Sequence, residues 1–351
     1  MDLKYLNAIN ILGSAKIGML QKIADAFQGN FEHAWHSNNL SSFLPSGIFN
    51  KNQIHLEEEW QKLAKNKIEM VTILDPAYPE LLKQIHDPPF LLYLKGNKNA
   101  LKENCFAVVG TRTLTEYGKR VTPFIVEPLA QAGLTIVSGL AMGIDSLAHQ
   151  AAIKMNAPTV AVLGGELSDS SIVLQNRKIA KEILQKNGAI ITEYPLGTNG
   201  NQFSFPQRNR IISGLSKGVL VIEADEKSGS LITAQSALDQ NRDVFAVPGS
   251  IFSSKSKGPN QLIAAGAKVV LDHYAILTEY NIDSIVRQLS LLPSNDLEKK
   301  IFAMMGSNCL SLDEIIRISS KNASEVISCL MNMELENKII NMGNNKFALP
   351  N

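Results

Sequence analysis

The chain has 351 residues, more than one small core requires and suited to two or three domains. Hydrophobic residues make up 45% and charged residues 19%, and 34 Lys and Arg stand against 33 Asp and Glu, a net charge of +1. This is the balance of an ordinary soluble globular protein; net charge points to no nucleic-acid partner, so any basic patch has to be local. Cys105, Cys309 and Cys329 are too widely spaced for a disulfide framework or a zinc site and read as free thiols in a reducing compartment. Met1 to Asn10 holds Asp2, Lys4 and two asparagines, unlike a signal peptide, and no run reaches the roughly 18–20 apolar residues of a membrane helix. A cytoplasmic protein without membrane contact is expected.

In chain order, residues 1–70 read as a small helical domain. Leu3, Leu6 and Ile9, then Ile17, Leu20, Ile23, Ala24 and Phe27, recur at helical spacing. Within it, Leu12-Gly13-Ser14-Ala15-Lys16-Ile17-Gly18 and the helix after it look like a degenerate helix-hairpin-helix or SAM-like module. Gly13 and Gly18 there either hold a phosphate or make a plain helix–helix turn. Residues 71–97 read as a linker and sheet-edge segment, since Pro76, Pro79, Pro88 and Pro89 make Asp75 to Leu94 a rigid connector.

Residues 98–275 alternate strands and helices. The apolar runs are Cys105–Gly110, Leu134–Gly139, Thr159–Gly164, Ala189–Glu193, Gly218–Glu223 and Asp243–Pro248. Near-continuous apolar strands are buried on both faces, as in a parallel sheet. Helical patterns fill the gaps at Lys119–Gln131, Asp145–Lys154, Arg177–Gln185 and Leu231–Gln240. The alternation predicts an α/β domain with a doubly wound, mostly parallel sheet. A turn-rich linker at 276–296, ending in Leu292-Pro293-Ser294-Asn295-Asp296, leads to a last domain at 297–351. Its pattern is helix, helix, helix, then two extended runs around a Gly343-Asn344-Asn345 turn, which predicts a winged helix. Six cations and six acids cancel across 297–351, so this domain reads as a protein-contact module rather than a DNA binder.

Ligands of an open parallel sheet bind beyond the carboxyl ends of its strands. Here those ends carry Gly110-Thr111-Arg112, Ser138-Gly139 through Gly143-Ile144-Asp145, and Gly164-Gly165. Phe205-Pro206-Gln207-Arg208-Asn209-Arg210 precedes the fifth strand, and Ser228-Gly229-Ser230 follows it. Glycines let a backbone approach an anion, helix N-termini offer free N–H groups, and arginine adds a forked charge for phosphate. Several such turns on one edge favour an anion site over turn geometry alone. Ser228-Gly229-Ser230 either caps the next helix or contacts the ligand. Asp145 and His149 are four apart on a helix; capping by Asp145 and packing of His149 are favoured over acid–base work. Glu193, Glu223 and Asp225 cap, pair with arginines or repel other anions, and none is assigned a catalytic role.

The first turn lacks Gly-x-Gly-x-x-Gly, the second strand ends without a ribose-binding acid, and no P-loop, nucleophile arrangement or metal-ligand spacing occurs. No cofactor, metal or catalytic residue is therefore expected. Residues 201–220 carry Arg208, Arg210 and Lys217 without an acid, and residues 250–268 carry Lys255, Lys257 and Lys268 without one. These stretches predict concentrated positive potential. Phe203 and Phe205 either pack beneath their loop or offer an exposed ring on which a base stacks beside a cation.

Seven motifs now stand in order: Gly110-Thr111-Arg112; Ser138-Gly139-Leu140-Ala141-x-Gly143-Ile144-Asp145; Ala148-His149; Ala161-Val162-Leu163-Gly164-Gly165; Phe205-Pro206-x-Arg208-Asn209-Arg210-Ile211-Ile212; Ser228-Gly229-Ser230-Leu231-Ile232-Thr233-Ala234; and Ala246-Val247-Pro248-Gly249. Over roughly residues 70–272 the chain closely resembles the DprA (Smf) family of DNA-processing proteins of natural transformation. The resemblance implies an extended Rossmann-like fold, single-stranded DNA binding, a homodimer, and protection of incoming DNA with loading of the RecA recombinase. It places the DNA pocket at Arg112, Ser138-Gly139, Phe205 and Arg208-Asn209-Arg210. Turn geometry and local charge add Gly110, Thr111, Gly164, Ser228, Gly229, Ser230 and Lys255 to the DNA-binding set. Two departures are Thr111, where the family often has Ser, and Ser170-Ser171-Ile172, where a Tyr-Pro usually follows the third turn. A competing reading is a nucleotide-processing enzyme of the lysine-decarboxylase-like type, whose Pro-Gly-Gly-x-Gly-Thr-x-x-Glu motif corresponds to a segment ending here in Gln235, without the glutamate. A protein-only scaffold is the least favoured reading, given the clustered arginines.

Overall fold

The structure, a computed structural model, describes residues 2–13, 15–44, 51–102, 104–282, 295–305, 309–335, 338–343 and 345–349. Ser14 of the N-terminal hairpin, Asn344 of the last turn and residues 283–294 of the expected linker lie outside the described residues. The chain divides into two compact units, Met1–Ile276 and Leu277–Asn351.

The first unit opens with four helices, α1 (Leu3–Leu12), α2 (Met19–Ala26), α3 (Phe31–His36) and α4 (Leu56–Lys65). Local chemistry fixes their ends. Asp2 accepts from the Lys4 amide to cap α1. Three glutamates open α4 and Lys62 and Lys65 close it, matching the helix dipole. These helices bury Leu6, Ile9, Phe31 and Trp35 in one core with Phe90, Leu91 and Tyr93 of the sheet edge and Ile179 and Ile183 beyond it.

After them come β1 (Glu69–Thr72), α5 (Glu80–Lys83), β2 (Leu91–Gly96), β3 (Cys105–Val109), α6 (Glu116–Gln131), β4 (Thr135–Ser138), α7 (Ile144–Lys154), β5 (Thr159–Val162), α8 (Arg177–Gln185) and β6 (Ala189–Thr192). The unit continues with α9 (Ser204–Leu215), β7 (Gly218–Val221), α10 (Gly229–Asp239), β8 (Asp243–Ala246), α11 (Ser254–Ala264) and β9 (Lys268–Val269). The sheet runs in the order β1-β2-β6-β5-β4-β3-β7-β8-β9. From β6 to β9 every pairing is parallel, while β2 joins β6 and β1 joins β2 antiparallel, with Tyr93 opposite Thr192. All five residues of β3 are buried, as a strand covered on both faces requires. The chain winds outward through β4, β5 and β6, then returns to place β7 on the other side of β3. That reversal is the topological switch point of a doubly wound fold.

The six expected strands form, and three more extend the sheet: β1, β2 and the two-residue β9. The Pro-rich segment is a connector only as far as Pro89; Leu91 onward carries a full set of N–H donors and pairs on both sides as β2. Phe205 to Arg210, read as part of a loop before the fifth strand, lie in helix α9. Pro206 sits in its first turn, where no intrahelical N–H bond is lost, so the proline begins the helix instead of breaking it.

The second unit has helices Asp296–Met305, Leu312–Ser319 and Ala323–Leu335, with strands Leu310–Ser311, Ile340–Gly343 and Lys346–Ala348 in an antiparallel sheet. Ser311 and Glu314 form a reciprocal capping box. Ile301, Ile315, Val326, Leu330 and Phe347 fill its core. This is the winged-helix arrangement.

Candidate nucleic-acid interface

A cleft of about 590 Å³ opens at the switch point. The turn after β3 supplies Gly110 and Arg112, the first turns of α9 supply Phe205, Arg208 and Asn209, and the start of α10 supplies Ser228, Gly229 and Ser230. Eight of the fourteen expected site residues therefore line one cleft.

At its mouth the exposed Arg112 guanidinium lies over the Phe205 ring, 5.7 Å from the centroid. Phe205 is 37% exposed and Phe203 73%, so both rings are on the surface. Ser228 caps α10 by accepting from the Ser230 amide, and the two hydroxyls lie 2.7 Å apart. The cap and the cleft wall are the same residues. Asn209 donates to the Gly229 carbonyl at 3.1 Å, tying α9 to the α10 turn.

Arg208 forms the floor. It is 5% exposed, and its Nη1 donates to the carbonyls of Gly139, at 2.9 Å, and Val162. It thus closes the ends of β4 and β5 from beneath the cleft. A Cβ on Gly139 would stand 2.7 Å from the guanidinium, so only glycine lets Arg208 in. Asp145, also buried, accepts from the Gly139 and Ala141 amides at 3.1 and 3.4 Å. Burial pulls the Arg208 guanidinium down to about 10, opposed by Asp145. Burial likewise raises the Asp145 carboxyl, opposed by Arg208. Beside them His149 bonds Thr159 at 2.7 Å, and burial together with Arg208 pushes it down to about 3, a neutral imidazole. Asp145 thus holds the preceding turn, while His149 is packed.

Other expected residues support the cleft without lining it. The Thr111 amide donates to the Glu223 carbonyl at 2.6 Å, and Ser138 donates its hydroxyl to the Val108 carbonyl at 2.7 Å. Gly164 lies against the Phe205 ring. Gly143, at φ 89°, packs on the Thr111 carbonyl, where a Cβ would come within 2.2 Å.

Arg210 turns away from the cleft. It pairs with Glu193 at 2.5 Å and Asp87 at 3.0 Å, and is buried. Lys255 pairs with Asp225, Lys257 with Glu226 and Lys268 with Asp243. The second acid-free stretch of the sequence is therefore matched in space by acids from other segments. Glu223 accepts from the Thr115 amide at 3.2 Å and from its hydroxyl, at the start of α6. Gln235 is exposed and donates to Asp239 at 2.9 Å, outside the cleft.

Sequence reasoning missed Gln202, which also lines the cleft, as do Ala141 and Thr233 of the quoted motifs, which were not placed in the DNA-binding set. Gln202 comes from the long connection after β6, and no pattern near it signals proximity to Gly110. Among the described residues no cluster of His, Cys, Asp or Glu could hold a metal ion, and no helix is long and apolar enough to cross a membrane.

The fold and cleft define a Rossmann-like α/β protein with a polar, arginine-bearing pocket at the switch point of its sheet, followed by a winged helix. The family model for DNA recombination-mediator protein A matches residues 69–281, and that for the DprA winged helix domain matches residues 287–344. The chain belongs to the DprA/Smf family. Protein Smf of Escherichia coli (strain K12) is 38% identical over 269 residues, 74% of this chain and 71% of the relative. The structure is similar to DNA processing protein A from Streptococcus pneumoniae, with TM-score 0.65 and 34% identity, over 78% of this chain and 97% of that one. It is also similar to DNA processing protein A from Helicobacter pylori, solved for its single-stranded DNA binding mode, with TM-score 0.54 and 29% identity over 64% and 98% of the two chains.

Proposed function

We propose that this chain binds single-stranded DNA in the switch-point cleft and acts as a recombination mediator, protecting incoming DNA and loading the RecA recombinase during natural transformation. In this reading it works in the cytoplasm as a homodimer and has no turnover of its own. The observation that carries the binding is the Arg112 guanidinium over the half-exposed Phe205 ring at the cleft mouth. A phosphate-seeking charge and a π-face for a base then stand side by side, the two parts of single-strand binding. The start of α10, with Gly229 in the wall, adds backbone donors for phosphate. The similarity to the Helicobacter pylori protein supports the same ligand. The winged helix, with zero net charge and Ile327 and Met331 exposed one turn apart, serves protein contact.

The test is a gel shift with single- and double-stranded oligonucleotides of equal length, at low and physiological salt. Preference for the single strand and weakening with salt are expected, because phosphate neutralisation releases counterions. Equal affinity for duplex, or indifference to salt, overturns the reading. Sustained hydrolysis of ATP, AMP or DNA by the pure protein would overturn its non-catalytic part.

A further inference from the structure

Arg208 and Arg210 are two residues apart, roughly 200° around α9, so they leave it on opposite faces. Arg208 grips the ends of β4 and β5. Arg210 grips something the cleft does not contain. Its Nη2 donates to Glu193, just past β6, and its Nε pairs with Asp87 of the Pro-rich connector. From Glu193 a chain of buried polar groups runs into the N-terminal helices. Asn10 of α1 donates to the Glu193 carbonyl at 3.3 Å and to the Tyr93 hydroxyl at 3.2 Å. Tyr93 donates to Asn7 of α1 at 2.7 Å. Asn7, Asn10, Tyr93, Glu193 and Arg210 are each more than nine-tenths buried.

This chain is a poor source of stability. Glu193 Oε1, Arg210 Nη1 and Arg210 Nε have no hydrogen-bond partner among the described residues, the Nε meeting Asp87 as an ion pair alone. A buried, incompletely satisfied ion pair often matches or loses to well-packed apolar residues of the same volume. What such a network supplies is position: few arrangements of α1, the connector, β6 and α9 satisfy it at once.

We propose that Arg210, held by the Glu193 carboxylate and, through the Glu193 main chain, by Asn10 of α1, is a positioning residue that fixes the pose of α9, making the N-terminal helices part of the machinery that presents Phe205 to single-stranded DNA above the Arg208 floor. The proposal rests on the reading of the cleft as the DNA site. On this view Arg210 touches no phosphate, and its effect reaches DNA only through α9.

The experiment measures single-strand affinity across a salt series for the full-length wild type, Asn10→Ala and the double variant Glu193→Gln/Arg210→Met, each well below its own melting midpoint. Asn10→Ala removes a small group remote from the cleft, so it reports even where the double variant folds poorly. Both are expected to bind about tenfold more weakly while folded, with the salt slope of the wild type retained. Restoring charge and length with Arg210→Lys is expected to recover part of the loss. A fall in slope of about one in the double variant means that Arg210 holds phosphate directly, and overturns the proposal. Wild-type affinity in folded Asn10→Ala also overturns it, by leaving the N-terminal helices a merely structural role. A wild type that binds no single strand defeats the cleft reading itself and is distinguished from both by the control lane.

Discussion

The cations on α11 and β9 and those around the cleft meet different fates in the fold. On α11 and β9, Lys255, Lys257 and Lys268 each meet an acid from another segment and are neutralised near the surface. Around the cleft, Arg112 lies on an aromatic ring and Arg208 is buried among carbonyls with Asp145 as its counter-charge. Charge density along a sequence therefore says little about field in space. What distinguishes Arg112 is a guanidinium set on an aromatic ring and not on an acid, a property of the folded neighbourhood.

The comparison is most sharply broken at Arg208. Arg208→Ala leaves the buried Asp145 without its counter-charge and two strand-end carbonyls without a donor. It is expected to destabilise the protein by about 3–5 kcal/mol in urea unfolding. An unchanged midpoint would show that the floor of the cleft is not held by this guanidinium. Arg208 sits on a helix and not in a loop, so loss of binding in this variant cannot be assigned to a lost phosphate contact alone.

His149 tests the same buried region by pH. Its folded pKa, about 3, lies below the ordinary value of 6.5. The unfolded chain therefore takes up the proton first, and the stabilisation is complete above pH 6.5 and lost as pH falls toward 3. The slope is about 1.4 kcal/mol per pH unit within that window. Unfolding at pH 7 and pH 5 should show a smaller loss for His149→Gln than for the wild type; equal losses would place the titrating group elsewhere.

Arg112 separates binding from stability. Arg112→Ala should leave the thermal midpoint in place and weaken single-strand binding by about 1.5–3 kcal/mol, roughly ten- to hundredfold. Arg112→Lys should recover only part, since an ammonium lacks the guanidinium fork and its stacking face. The smallest effects belong to the other region. Lys255→Ala and Lys257→Ala should each change affinity by less than about threefold, because their charges already face acids, Lys255 in a half-buried pair and Lys257 in an exposed one. A tenfold loss at either would erase the distinction between the two regions. A chain ending at residue 282 should likewise keep its single-strand affinity within about twofold, given the zero net charge of residues 297–351.

Periodicity and turn chemistry made the six parallel strands, most of the helices between them and the winged helix readable in advance. Glycine and arginine placement located the cleft. Most of what escaped was set by packing between distant segments. Helix α9 hid behind Pro206, which suggests a break unless it falls in a first turn. Pairing of Glu193 with an arginine was one of the readings left open, but the second partner of Arg210 hid, because Asp87 meets it only when β6, the connector and α9 pack together. The neutralisation of Lys255 hid for the same reason. Local signals report what a residue offers; who accepts the offer is set by topology.

Strand β2 illustrates a demand that this topology makes during synthesis. Its outer edge pairs early with β1, but its inner edge waits for β6, whose first residue, Ala189, follows Gly96 by roughly ninety positions. At ordinary translation speeds that is about 5–20 s. Through that interval the nascent chain carries Leu91-Leu92-Tyr93-Leu94 with one row of amides and carbonyls uncovered, a template for pairing with a neighbouring nascent chain. The N-terminal helices precede β2 in the chain and share a core with Leu91 and Tyr93 in the finished fold, so they offer those side chains cover on the way to it.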